Sequence, residues 1–238
     1  MSPRTIVKSL SSQLRLSFNI KGIDGLFPGF TLGDFAVLYG SPTVLPLSML
    51  LCVRAQLPYQ LGGLETNVVF VDGGNTFRLY DVSYVARLHE LDPKQVLERI
   101  YISRAFTAYQ MTSLILDKLQ DAVEEHNSKL VVISDFAGLY LDKDVPEREA
   151  RDVFNQSTLY LSKFARENRA IVAATYLPHY PSKQDVFFKV VCGRANVAVS
   201  VRPSKYGQQF VVEKHPFFKF GIANFPSENP TLAEFVEA

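Results

Sequence analysis

Residues 35–57 limit this chain more than any other stretch. Phe35 to Tyr39 is a short apolar run, Gly40 stops it, and a second apolar segment covers Pro46 to Leu57. The first run predicts a buried strand. The second predicts a helix with Pro46 in its first turn, where a missing N–H does little harm. Strand, glycine, loop and helix in that order form the layout of a phosphate-binding P-loop, G-x-x-x-x-G-K-[ST]. Gly40, Ser41, Pro42, Thr43, Val44, Leu45, Pro46 and Leu47 fill that frame. Gly40 takes the first glycine's place, but the second glycine falls on Leu45, the lysine on Pro46 and the hydroxyl on Leu47. Such a loop has no ammonium for a phosphate and no hydroxyl for Mg²⁺ in those places, and Pro46, without an N–H, thins the nest of backbone donors. An ordinary βα turn fits the same letters.

The rest of the chain repeats the alternation. Apolar runs at Asn67 to Asp72, Ile100 to Ser103, Leu130 to Asp135 and Ile171 to Thr175 predict strands. Between them, helical patterns run from about 78 to 89, from Thr107 to His126 (apolar at Leu114, Leu116, Leu119 and Val123) and from Pro146 to Asn168. Beyond Pro181 the pattern predicts hairpin strands at Phe187 to Cys192, Asn196 to Val201 and Gln209 to Val212. This order predicts an α/β domain with a mostly parallel central sheet, helices on both faces and an antiparallel C-terminal edge. The expected division is an N-terminal arm over 1–22, a core over 23–220 and a C-terminal tail over 221–238.

The 238 residues are 47% hydrophobic, enough for one large core, and carry a formal charge of +1, so a basic footprint for nucleic acid has to be local. Cys52 and Cys192 stand far apart, mostly among apolar neighbours, and read as buried thiols of a reducing compartment. With no apolar run of about 18 residues, the expectation is a soluble cytoplasmic protein without membrane contact.

In sheets of this kind ligands gather at the carboxyl ends of the strands. Gly40, Asp72, Asp135, Thr175 and Tyr176 all fall there. Asp135 suits the place of a metal-binding carboxylate and equally suits the cap of the following turn.

Four stretches, in order and with matching spacing, give the chain a resemblance to the RecA-type ATPase core of the archaeal RadA recombinases and their RadC-like paralogues. They are Gly29 to Gly40, Val71 to Arg78 (Val-Asp-Gly-Gly-Asn-Thr-Phe-Arg), Arg104 to Gln110 and Leu130 to Tyr140. The resemblance implies a RecA-type P-loop fold in which Asp135 is the Walker B-type acid. It also implies a water-activating Glu after the second strand, where this chain has Gly74, and an Asn-Gln sensor where it has Thr175-Tyr176. With the lysine also absent, ATP and Mg²⁺ are not expected to bind productively, no cofactor is expected, and the chain reads as a pseudo-ATPase rather than an enzyme.

The resemblance further implies two DNA-facing loops. The first maps to Leu141 to Glu149, where four acids against Lys143 and Arg148 make a poor phosphate track. The second maps to about Leu177 to Cys192. Tyr180, Lys183, Lys189, Arg194, Arg202 and Lys205 are the candidate contacts to single-stranded DNA, with Phe187 and Phe188 interleaved. A solvated hairpin face is the alternative. Recombinases of this type polymerise through a Phe-x-x-Ala motif, and Phe235 with Ala238 matches it. Phe220-Gly-Ile-Ala223 matches too, but its place after a strand predicts a core phenylalanine. Thr231 to Glu234 also reads as a capping box, which would make the tail a helical turn packed on the domain.

Two readings of function follow. One is a catalytically inactive accessory factor of homologous recombination and DNA repair, binding a RadA-like recombinase or another paralogue and single-stranded DNA. The other is a RecA-fold scaffold or regulatory subunit with no DNA binding. An active ATPase with an unusual loop is a third, disfavoured because nothing near 45–48 replaces the lysine.

Overall fold

The computed structural model describes residues 14–177, 184–205 and 207–225. Tyr180, Lys183, Phe235 and Ala238, the capping box at Thr231 and most of the arm lie outside them. A two-residue pair, β1 (Arg15–Leu16) and β2 (Phe30–Thr31), precedes an eight-stranded sheet. Its strands are β3 (Phe35–Gly40), β4 (Asn67–Asp72), β5 (Ile100–Arg104), β6 (Ser128–Ser134), β7 (Ile171–Tyr176), β8 (Val197–Ser204), β9 (Gly207–Lys214) and β10 (Gly221–Phe225). They lie in the order β10-β9-β8-β3-β7-β6-β4-β5. The six from β8 to β5 are parallel, while β9 and β10 close the other edge as antiparallel hairpins.

The helices are α1 (Val44–Arg54), α2 (Leu79–Leu88), α3 (Pro93–Glu98), α4 (Ala108–Ser113), α5 (Leu119–Glu125), α6 (Glu147–Glu167) and α7 (Gln184–Arg194). A π-helical stretch, Leu114–Lys118, joins α4 to α5, so the expected long helix is one continuous element with a bulge. Alternate strand residues go to opposite faces. Ala36, Leu38, Val68, Phe70, Val132 and Ala173 pack with α1, α2 and α3. Val37, Val69, Val71, Ile133, Val172 and Ala174 pack with α4, α5, α6 and α7.

Helix α1 is buried almost all round, with Val44 and Leu47 through Arg54 all covered, as expected for a helix apolar on every side. It starts at Val44, two residues before the expected Pro46, which still sits in its first turn. Helix α6 buries Ala150, Phe154, Leu161 and Phe164 on one stripe. Helix α3 went unforeseen, although Asp92 caps it (Lys94 N to Asp92 Oδ1, 3.1 Å) and Pro93 fills its first position.

Two expectations need correction. Phe187 to Cys192 is not a hairpin strand but part of α7. Phe187 and Val191, four residues apart, are both buried and Phe187 meets Phe154 edge-on at 4.8 Å; the period is 3.6, and alternation was the wrong template. Phe220 is not core: it is 67% exposed, because it precedes the edge strand β10 instead of following the last strand. The packed unit takes in residues on both sides of 23–220. Leu16, Phe18 and Ile20 are buried in it, and Gly221–Phe225 joins its sheet. Cys52 is buried and Cys192 half-buried, both free, and burial pushes the Cys192 thiol up to about 12. No helix among the described residues is long and apolar enough to cross a membrane.

Candidate functional site

The strand ends converge as expected, with Gly40 closing β3, Asp72 closing β4, Asp135 following β6 and Thr175-Tyr176 closing β7. Gly40 has φ +103°, and a Cβ there would lie 2.3 Å from Val201 O, so only glycine lets β3 end this close to β8. The loop then folds onto itself. Ser41 N donates to Val201 O (2.7 Å), Thr43 N to Ser41 Oγ (3.3 Å) and Val44 N to Ser41 O (3.1 Å). Leu45 N donates to Pro42 O (3.0 Å) and Leu47 N to Thr43 O (3.2 Å). Pro42 and Pro46 have no N–H. Every backbone donor from 41 to 47 thus has an acceptor within the protein. Leu47 is fully buried in the core under β3, and Leu45 is half-buried.

Asp72 is fully buried and organises the next turn. Its Oδ1 accepts from Thr76 N (2.8 Å) and Thr76 Oγ1 (3.3 Å). Its Oδ2 accepts from Phe77 N (3.3 Å) and from the Arg104 guanidinium at the end of β5 (3.3 Å). Thr76 Oγ1 also meets Ser134 Oγ. Asp72, Thr76 and Arg104 therefore form one structural knot tying β4, β5 and β6 together.

Asp135 is 7% exposed with φ +48°. Its N–H donates to Thr175 Oγ1 (2.9 Å), and Phe136 N donates to Thr175 O (3.0 Å). A Cβ on Gly74 would lie 2.8 Å from both Cβ and Oδ2 of Asp135, and one on Gly138 would lie 2.4 Å from Oδ2. The carboxyl group fills the space that two glycines leave. Thr175 is fully buried, and Tyr176 is covered beside the Phe188 ring at 5.5 Å.

The basic candidates do not form one surface. Arg202, near the end of β8, is paired with Glu213, which also accepts from Ser200 Oγ (2.9 Å). Lys205 lies just past β8, at the same end of the sheet as Gly40, and Lys189 is exposed on α7. Arg194 sits at the opposite end, where β8 begins.

The strand order, the two-faced core and the glycine-closed loop at the end of β3 define a RecA-type α/β core. Residues 25–176 match the family model described as Rad51, and the chain belongs to that family. Among curated proteins, the DNA repair and recombination protein RadA of Aeropyrum pernix is 38% identical over 99 residues, covering 42% of this chain and 30% of the relative. The protein of the same name from Cenarchaeum symbiosum is 32% identical over 90 residues, covering 38% of this chain and 22% of the relative. The matched stretch thus spans less than a third of either relative's length.

Proposed function

We propose that this chain is a catalytically inactive member of its family that serves homologous recombination and DNA repair as an accessory factor, through partner and single-strand binding. The observation that carries the inactive reading is the loop at 40–47, whose backbone donors are all engaged internally and whose position 47 is a buried leucine. A magnesium nucleotide does not fit these residues: they offer no ammonium and no free N–H nest, and the Ser41 and Thr43 hydroxyls are bonded to each other. Position 74 points the same way, since glycine can neither take a proton nor orient water.

The partner side rests on the other edge of the sheet. Among the described residues strand β5 pairs only with β4; Ile102 on it and Phe106 and Tyr109 just past it are exposed at 42%, 69% and 53%. An open edge with apolar side chains suits strand addition by a RadA-like chain or another paralogue. The same edge also suits a scaffold that binds no DNA.

The test is a melting experiment with and without millimolar Mg-ATP, beside a phosphate-release assay. Ligand binding to the folded state alone at 100 times its dissociation constant adds about 2.7 kcal/mol. We expect no shift and no release; a clear upward shift overturns the reading.

A further inference from the structure

At the end of the sheet away from Gly40, a groove of about 630 Å³ opens between the start of β3, the start of β8 and the C-terminal ends of α6 and α7. Three arginines line it. Arg166 stands in the last turn of α6, Arg169 lies just past that helix, and Arg194 closes α7. All three are exposed, and among the described residues none of the guanidiniums has an ion-pair or hydrogen-bond partner.

Asp34 is the acid in the groove, and it is spoken for by neutral groups. Its Oδ2 accepts from Thr31 N (2.6 Å) and Thr31 Oγ1 (3.0 Å), and its Oδ1 from Asn196 Nδ2 (2.7 Å). Three positive charges therefore converge with one carboxylate whose task is to hold β2, β3 and β8 together. Helix C-termini favour a cation each, which accounts for Arg166 and Arg194 singly but not for a third charge at the same mouth. Leu14 and Phe217, 42% and 54% exposed, supply an apolar wall beside the charges.

Guanidinium forks match phosphate oxygens in pairs, and an exposed ring beside them offers a stacking face for a base. We propose that this groove holds the sugar–phosphate backbone of a single-stranded nucleic acid, at the end of the sheet opposite the Gly40 loop. The inference rests on the single-strand reading above and deepens it by placing the strand. An acidic peptide has matching charge, but its acidic and aliphatic side chains do not stack on the Phe217 ring as successive bases do.

The experiment is a salt titration of full-length protein with a fluorescent oligothymidylate, read by anisotropy. Arg166→Gln/Arg169→Gln/Arg194→Gln is compared with Arg87→Gln/Lys94→Gln/Lys118→Gln, which removes three exposed charges elsewhere. Three lost phosphate contacts should weaken binding at least tenfold and lower the slope of log affinity against log salt by about 2, at about 0.7 per contact for a single strand. The control triple variant should stay near wild type, and single Arg169→Gln should lower the slope by about 0.7. Wild-type binding that the groove variant leaves unchanged sinks this placement and spares the single-strand reading. Failure of wild type to bind at any salt sinks both. Binding of a synthetic peptide of residues 226–238, lost in the groove variant while oligonucleotide binding persists, assigns the groove to an acidic peptide and overturns the proposal.

Discussion

Gly74 and Asp135 occupy one small space from two strand ends. A Cβ on the glycine would stand 2.8 Å from the Cβ and Oδ2 of the aspartate, closer than such atoms come. Placing a glutamate at position 74 therefore requires Asp135 to move. Gly74→Glu should lower the melting temperature, at a cost of about 1–3 kcal/mol for forced repacking, and should yield no phosphate release. Differential scanning calorimetry and a phosphate assay on one preparation check both halves.

Leu47, in the first turn of α1, is fully buried. Leu47→Lys should place an unpaired ammonium in the α1 core and cost about 3–5 kcal/mol. Urea denaturation of the variant measures this, and a midpoint equal to wild type would mean that the loop is open to solvent.

Asp72 works as a brace. Removing its carboxylate in Asp72→Ala leaves Thr76 N, Phe77 N and Arg104 without their shared acceptor. Arg104 is partly exposed, so the loss should be near 2–3 kcal/mol rather than that of a sealed ion pair. Hydrogen exchange at the Thr76 amide should accelerate in the variant while amides of β7 change far less.

His89 supplies a pH dependence. Burial and the nearby Arg54 guanidinium lower its value from 6.5 to about 4, and its Nε2 has no hydrogen-bond partner among the described residues. As pH falls, the unfolded chain takes the proton first, so stability from this group is full above 6.5 and declines toward about 4. His89→Gln should flatten the melting temperature against pH across that window relative to wild type.

Most of the architecture was written in apolar runs. Val68 to Val71 and Leu130 to Ile133 are covered on both faces, so their continuous hydrophobicity marked parallel strands without ambiguity. Residues 187–192 misled because Phe-Phe-Lys-Val-Val-Cys carries strand formers, whereas Phe187 packs on Phe154 and Phe188 on Tyr39 and Tyr176 from a helix. At the strand ends, the identities of Gly40, Asp72 and Asp135 were legible, but their partners were not. Nothing local announces that Thr175 Oγ1 receives Asp135 N from 40 positions away. The arginine groove escaped for the same reason: Arg166 and Arg169 stand at and just past the end of α6 and Arg194 at the end of α7, and only the packing of those ends makes them neighbours.

Strand β3 is made early and sits in the middle of the sheet, flanked by β7 and β8. Phe35 N waits for the side-chain oxygen of Asn196, 161 residues later (2.7 Å). During synthesis one edge of β3 thus remains unpaired until β7 has been made and the other until β8 follows, more than 150 residues after β3. So large a share of distant pairings predicts slow folding from the ribosome and a nascent chain with an unsatisfied apolar strand, the condition in which chaperones are recruited and mispairing competes.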